Sequence, residues 1–190
     1  MPAHYSLSAT EEAVSRRLGS IPVNREALVA VSNIHRAASA VRQHLENSAL
    51  RAADLTWSAF VVLWVVWIWE EIETRHTAAE AGISKGTLTG IIKTLESRGL
   101  IERRQHPDDR RLALLRLTPE GLALMEEIFP AFNAEEAFVV DPLGGEEALH
   151  LADTLRRIIT HLEEKGEERR ESLHRDAPVP PRRGGRRRAT

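Results

Sequence analysis

The stretch RRQHPDDRRLALLRLT, residues 103–118, sets seven charged residues and a proline between a short apolar entry, Leu100 and Ile101, and an exit that is mostly leucine. Residues 100–104 and 112–117 are short enough and apolar enough for two strands, and Pro107, Asp108 and Asp109 between them supply turn chemistry. The surrounding chain reads as helical, so this hairpin is an insertion with a task of its own.

Directly upstream, Ser84 is placed to cap a helix, SKGTLTGIIKTLESRG, whose stop signal is Gly99. Glu73 or Thr74 can cap a shorter helix that ends at Ala81 and Gly82. A helix-turn-helix needs a small residue where the second helix crosses the first, a glycine able to take positive φ in the turn, and an apolar residue facing back from the second helix. Ala78, Gly82 and Leu88 meet those needs. Ile83, Leu88, Ile91, Ile92 and Leu95 then form a buried side and leave Lys85, Thr87, Thr89, Gly90 and Lys93 facing outward. Small, polar and cationic residues suit a helix that enters a major groove, and a helix N-terminus at Ser84 favours a phosphate.

The hairpin extends that surface as a wing. Arg110 and Arg111 stand where the chain leaves its tip, and an arginine there can enter a narrow minor groove, where the negative potential is enhanced. Arg103 and Arg104 join them as DNA-binding candidates on the incoming strand. Asp109 would repel phosphate, so its expected task is to hold an arginine fork through a bidentate pair.

Working outward, Leu28, Val31, Ile34, Ala38, Val41 and Leu45 recur at three- and four-residue steps on a helix over about 24–48 with Asn24 as its cap. Thr56 starts WSAFVVLWVVWIW, apolar around nearly its whole circumference, which must be buried on most sides. Thr118 and Pro119 start a helix in the order cap then proline, and Pro130 is expected to kink or divide it. After DPLGG, a last helix is expected from about Glu146 to Arg170. Residues 1–23 read as an extension with one short helix from Thr10 to Leu18. No internal repeat is evident.

The chain has 190 residues and a net charge of -2, which suits one domain, or one domain with tails. That charge is unevenly spread: residues 84–116 carry eight Lys or Arg against four Asp or Glu, and residues 176–190 carry five Arg against one Asp. A polyanionic partner for part of the surface is the expected reading. The absence of cysteine excludes disulfides, thiolate ligands and thiol redox switches. No apolar run reaches membrane-spanning length and no secretory signal opens the chain, so a cytoplasmic protein without a membrane partner is expected. The eight histidines include no i, i+4 pair, and neither a metal nor a cofactor is expected. No nucleophile, base and orienting group recur at a recognisable spacing and no Gly-rich phosphate loop is present, so the chain does not read as an enzyme.

From about residue 28 to 128 the chain resembles the MarR family of bacterial transcriptional regulators. The resemblance rests on LTWSAFVVL at 55–63, AAEAGIS at 78–84, GTLTGIIKTLESRGLIERR at 86–104 and above all HPDDRRLALLRLTPEG at 106–121, an acidic-x-Arg wing followed by a Leu-Thr-x-x-Gly helix start. It implies a mainly α fold with a small β-hairpin wing: a winged helix-turn-helix lobe, about 55–117, plus a dimerisation region formed by the N- and C-terminal helices, about 24–48 and 119–170. The MarR-like domain then covers 24–170, followed by a disordered Arg-rich tail, 171–190. The resemblance also implies a homodimer on double-stranded DNA, a pseudo-palindromic operator, repression, Arg111 as the minor-groove residue, and release by a small aromatic or phenolic ligand held between the dimer helices and the DNA-binding lobe. Trp57, Trp64, Trp67 and Trp69 lie near that junction, and His35 and Arg36 could add polar contacts; His35, Arg36, Trp57 and Trp64 are the ligand candidates, although tryptophans on a buried helix are usually core. The sequence departs from the family in Gly90, where an arginine is common, and in residues 69–74, which lack a usual glycine. The rival reading is a winged-helix protein interaction module without sequence-specific DNA binding.

Overall fold

The computed structural model describes residues 6–176 apart from 108, 110 and 111. The chain divides into two units, one through Glu136 and one from Ala137.

In the first unit, the first three helices each begin where a side-chain oxygen satisfies one of the unpaired N–H groups of the first turn. Asn24 Oδ1 accepts from Ala27 N–H at 2.8 Å to open α2, Arg25–Asn47; Thr56 Oγ1 accepts from Ala59 N–H at 3.2 Å to open α3, Trp57–Trp69. Ser6 does the same for α1, Leu7–Leu18, which begins three residues before the expected Thr10. The extension is therefore built onto α2: Arg25 donates to Ser15 Oγ and to the Gly19 carbonyl, both at 3.1 Å.

Helix α3 forms the middle of the core. Phe60, Val62, Leu63, Val65 and Val66 are buried, with Leu45, Leu88, Ile92, Leu95, Leu115 and Met125 around them. Ile68 and Trp69 at its end are more than half exposed, so the wholly apolar helix is covered on most sides but not along its last turn.

A strand absent from the sequence reading follows. β1, Glu71–Glu73, pairs antiparallel with β3, Ala113–Leu117, and β3 pairs with β2, Ile101–Gln105, giving a three-stranded sheet in the order β1-β3-β2. The expected two-stranded wing thus gains a third strand at the edge beside β3. Glu73 ends β1 and flanks α4, Thr74–Glu80, without a side-chain cap bond. To turn from α3 into β1 the chain sets Glu70 at φ 58°, ψ -50°, in the residues already noted as lacking a glycine. Such backbone costs a non-glycine residue on the order of 1–3 kcal/mol, more than the 0.5–1 kcal/mol or so of chain entropy a glycine loses on folding. Glu70→Gly is accordingly expected to raise unfolding stability by about 1 kcal/mol, read from urea denaturation followed by circular dichroism.

Helix α6, Pro119–Val140, contains Pro130 and is not divided by it. Phe132, two residues beyond the proline, is buried and stacks on Phe60 with ring centroids 4.2 Å apart. In the second unit a 3₁₀ turn, Asp141–Leu143, leads into α7, Gly144–Asp176. The helix runs six residues past the expected limit at Arg170, because the charged segment Glu171–Asp176 contains no glycine or proline to stop it. The remainder of the expected tail, 177–190, lies outside the described residues. Leu149, Ile158, Ile159 and Leu162 of α7 are exposed within the chain.

Candidate nucleic-acid interface

Helix α5, Lys85–Ser97, is set by its two ends. At the start, Gly82 takes φ 63° in the turn from α4, Ile83 N–H bonds to the Ala78 carbonyl at 3.0 Å, and Ser84 Oγ accepts from Thr87 N–H at 3.1 Å. Leu88, Ile92 and Leu95 are buried, while Ile83 and Ile91 are half-buried. The opposite side presents Ser84, Lys85, Thr87, Thr89, Gly90 and Lys93, all exposed, as the periodicity required.

Within that face the roles differ. Ser84 is the cap, so one of its lone pairs is committed to backbone, and its hydroxyl also lies 2.8 Å from Thr87 Oγ1. Thr89 donates to the Lys85 carbonyl at 2.8 Å, leaving its oxygen as an acceptor only. Lys85 and Lys93 carry the cationic charge. A Cβ on Gly90 would meet nothing within 4 Å. Gly90→Ala is therefore expected to raise stability by about 1 kcal/mol through helix propensity alone, measurable as an upward shift of the urea midpoint with no change in slope.

The hairpin base is regular. Ile101 faces Leu117, Arg103 faces Leu115 and Gln105 faces Ala113, while His106 N–H bonds to the Leu112 carbonyl and Leu112 N–H to the Asp109 carbonyl. Alternation along β2 separates the two arginines assigned to one DNA surface. Arg103 shares the face of buried Ile101 and Leu115 and reaches Glu96 of α5 at 3.0 Å; Arg104 turns to the opposite face and reaches Glu102 at 2.9 Å. The period-two pattern of IERRQ already carried this signal. Asp109 is exposed at the described end of the turn. Arg110 and Arg111, and hence the arginine fork expected on Asp109, lie outside the described residues.

The ligand candidates are not brought together. Arg36 is half-buried beside α1 and ion-pairs with Glu11 at 3.8 Å, and His35 is exposed on α2. Trp57 and Trp64 stack instead on α6: Trp57 with Phe132, and Trp64 with Phe129 at 5.0 Å between centroids. These are core contacts. An open cleft does combine an aromatic ring with arginines, but from other residues: Trp67, Pro119 and Leu122 line it together with Arg104, Arg116 and Glu102. Glu102 bridges the two guanidinium groups. Trp67 was noted in sequence only as a neighbour of the junction, and Arg116 is missed because its partner becomes visible only when β2 and β3 are paired.

Among the described residues, no group of three His, Asp or Glu is placed to hold a metal ion, and no helix is long and apolar enough to cross a membrane.

A capped helix-turn-helix followed at once by an antiparallel hairpin defines a winged helix-turn-helix protein. The MarR family profile matches residues 55–112. The uncharacterised HTH-type transcriptional regulator YwaE of Bacillus subtilis is 32% identical over 162 residues, covering 84% of this chain and 95% of the relative. Two solved structures share the fold: a MarR mutant from E. coli complexed with operator DNA, at 23% identity, TM-score 0.66, and 72% and 98% coverage of the two chains; and NadR in complex with 4-hydroxyphenylacetate, at 26% identity, TM-score 0.63, and 70% and 97% coverage. The chain belongs to the MarR family, whose members matched here are transcriptional regulators rather than enzymes.

Proposed function

We propose that this regulator is a cytoplasmic repressor that binds a pseudo-palindromic operator as a homodimer and has no catalytic role. Helix α5 enters a major groove with Lys85, Thr87, Thr89, Gly90 and Lys93 towards the bases and Ser84 at the phosphates. The wing, with Asp109, Arg110 and Arg111, reaches the adjoining minor groove. The helices over 24–48 and 119–170 form the dimerisation region, and the two half-sites lie about 34–36 Å apart, one helical turn. The observation that carries the reading is the exposed polar and cationic face of α5 beside the base of the hairpin. The E. coli MarR complex with operator DNA supports it as a relative of the same fold. Selection of bound duplexes from random oligonucleotides tests it: an inverted repeat is expected, and recovery of no common sequence would sink the proposal.

The effector reading is a small aromatic acid or phenol in the cleft of Trp67, Arg104 and Arg116, supported by the NadR complex with 4-hydroxyphenylacetate. A rigid ring surface with a few converging charged groups suits such a ligand. Binding there would act on DNA affinity by favouring one arrangement of the lobe over another.

One observation favours the rival interaction module. Arg103 and Arg104 are already paired with Glu96 and Glu102, and residues 84–97 contain no arginine. A salt titration separates the two, because neutralising phosphates releases counterions and DNA affinity falls steeply with salt. A flat salt dependence would favour the module.

A further inference from the structure

We propose that Arg98 is a positioning residue for DNA recognition, clamping the C-terminal end of α5 to the loop between α2 and α3. The inference rests on the reading of α5 as the recognition helix. Arg98 Nη1 donates to the Asp54 carbonyl at 2.7 Å and Nη2 to the Ala53 carbonyl at 2.8 Å, a link across more than forty residues of chain. Both distances are those of charge-assisted bonds, and the planar guanidinium matches two neighbouring acceptors in a way an ammonium cannot.

Each end of the clamp is itself fixed. The loop is folded by Leu50 N–H to the Leu45 carbonyl and Leu55 N–H to the Leu50 carbonyl, with Leu50 and Leu55 buried and Asp54 held at φ 50°. The helix end is folded by Leu100 N–H to the Leu95 carbonyl, with Gly99 at φ 67°. A cation at this terminus is also favoured by the helix dipole. Helix α5 is thus held by the Gly82 turn at one end and by Arg98 at the other. Base-edge hydrogen bonds need that orientation, whereas phosphate attraction tolerates its loss.

Arg98 is exposed, so its replacement should not unfold the protein. The test measures affinity for the duplex that the wild-type protein selects and for a scrambled duplex, across a salt series, with thermal melts in parallel. Arg98→Ala is expected to lose about tenfold on the selected duplex and little on the scrambled one, with the salt slope unchanged. Arg98→Lys, which can still reach one carbonyl, is expected to fall between Arg98→Ala and wild type. Equal losses on both duplexes with a slope smaller by about two, one for each subunit of the dimer, would identify a phosphate contact and overturn the inference. So would a lowered melting temperature with affinity unchanged. If the wild-type protein selects no sequence, the DNA reading falls and takes this inference with it; if it does and both variants match it, only the inference falls.

Discussion

Gly121→Ala is expected to destabilise the protein by about 3 kcal/mol or more, in the range of severe overpacking, and to leave little folded protein at moderate urea. A Cβ at Gly121 would stand 1.9 Å from the Leu100 carbonyl oxygen and 2.9 Å from its carbon. Neither can give way easily. The Leu100 carbonyl accepts from Thr118 N–H at 3.1 Å, Thr118 Oγ1 donates to the Gly99 carbonyl, and the same hydroxyl oxygen accepts from Gly121 N–H at 3.0 Å. The first turn of α6 is therefore pressed against the chain as it enters β2. Helix propensity alone gives the opposite sign, about 1 kcal/mol in favour of alanine. Gly90→Ala is the internal control, a helical glycine with open space around it and the opposite expected shift. Urea denaturation of the two variants side by side would show midpoints moving in opposite directions; a stable Gly121→Ala would mean that α6 does not approach β2 this closely.

Arg111→Ala is expected to weaken operator binding on the order of a hundredfold. A side chain of this kind contributes about 1–3 kcal/mol, and in a homodimer the loss is applied at both wings. The expectation comes from the wing motif HPDDRR and from the register of the hairpin base, in which β2 and β3 pair without a bulge from Ile101 to Gln105. A thermal melt run in parallel is expected to show no change, so that the loss is read as binding and not as unfolding. Gel-shift titration at low salt provides the measurement. Affinity equal to wild type would remove the wing from the mechanism while leaving α5 as the reader.

The starts of α2, α3, α5 and α6 were legible because each depends on one side chain and an N–H three residues ahead. Asn24, Thr56, Ser84 and Thr118 all make that bond. The Gly82 turn and the exposed face of α5 were legible for the same reason: positive φ and 3.6-residue periodicity are properties of a few neighbouring residues. The candidate ligand site was not. Its proposed residues, His35, Arg36, Trp57 and Trp64, were grouped by chemistry, and composition does not say which helix a tryptophan will meet.

What the residues determined by themselves were thus the local decisions: where helices begin, where the turn needs glycine, and that a hairpin follows the recognition helix. Tertiary structure alone decided that Glu71–Glu73 is a strand, that Trp57 and Trp64 stack on α6, that Arg103 meets Glu96 of α5 and Arg116 meets Glu102 across the sheet, and that Gly121 has no room for a methyl group. The physical reason is range. A cap or a turn is settled by interactions within a few residues, whereas a three-residue strand, an ion pair or a steric contact between distant segments exists only once the chain has brought both partners together.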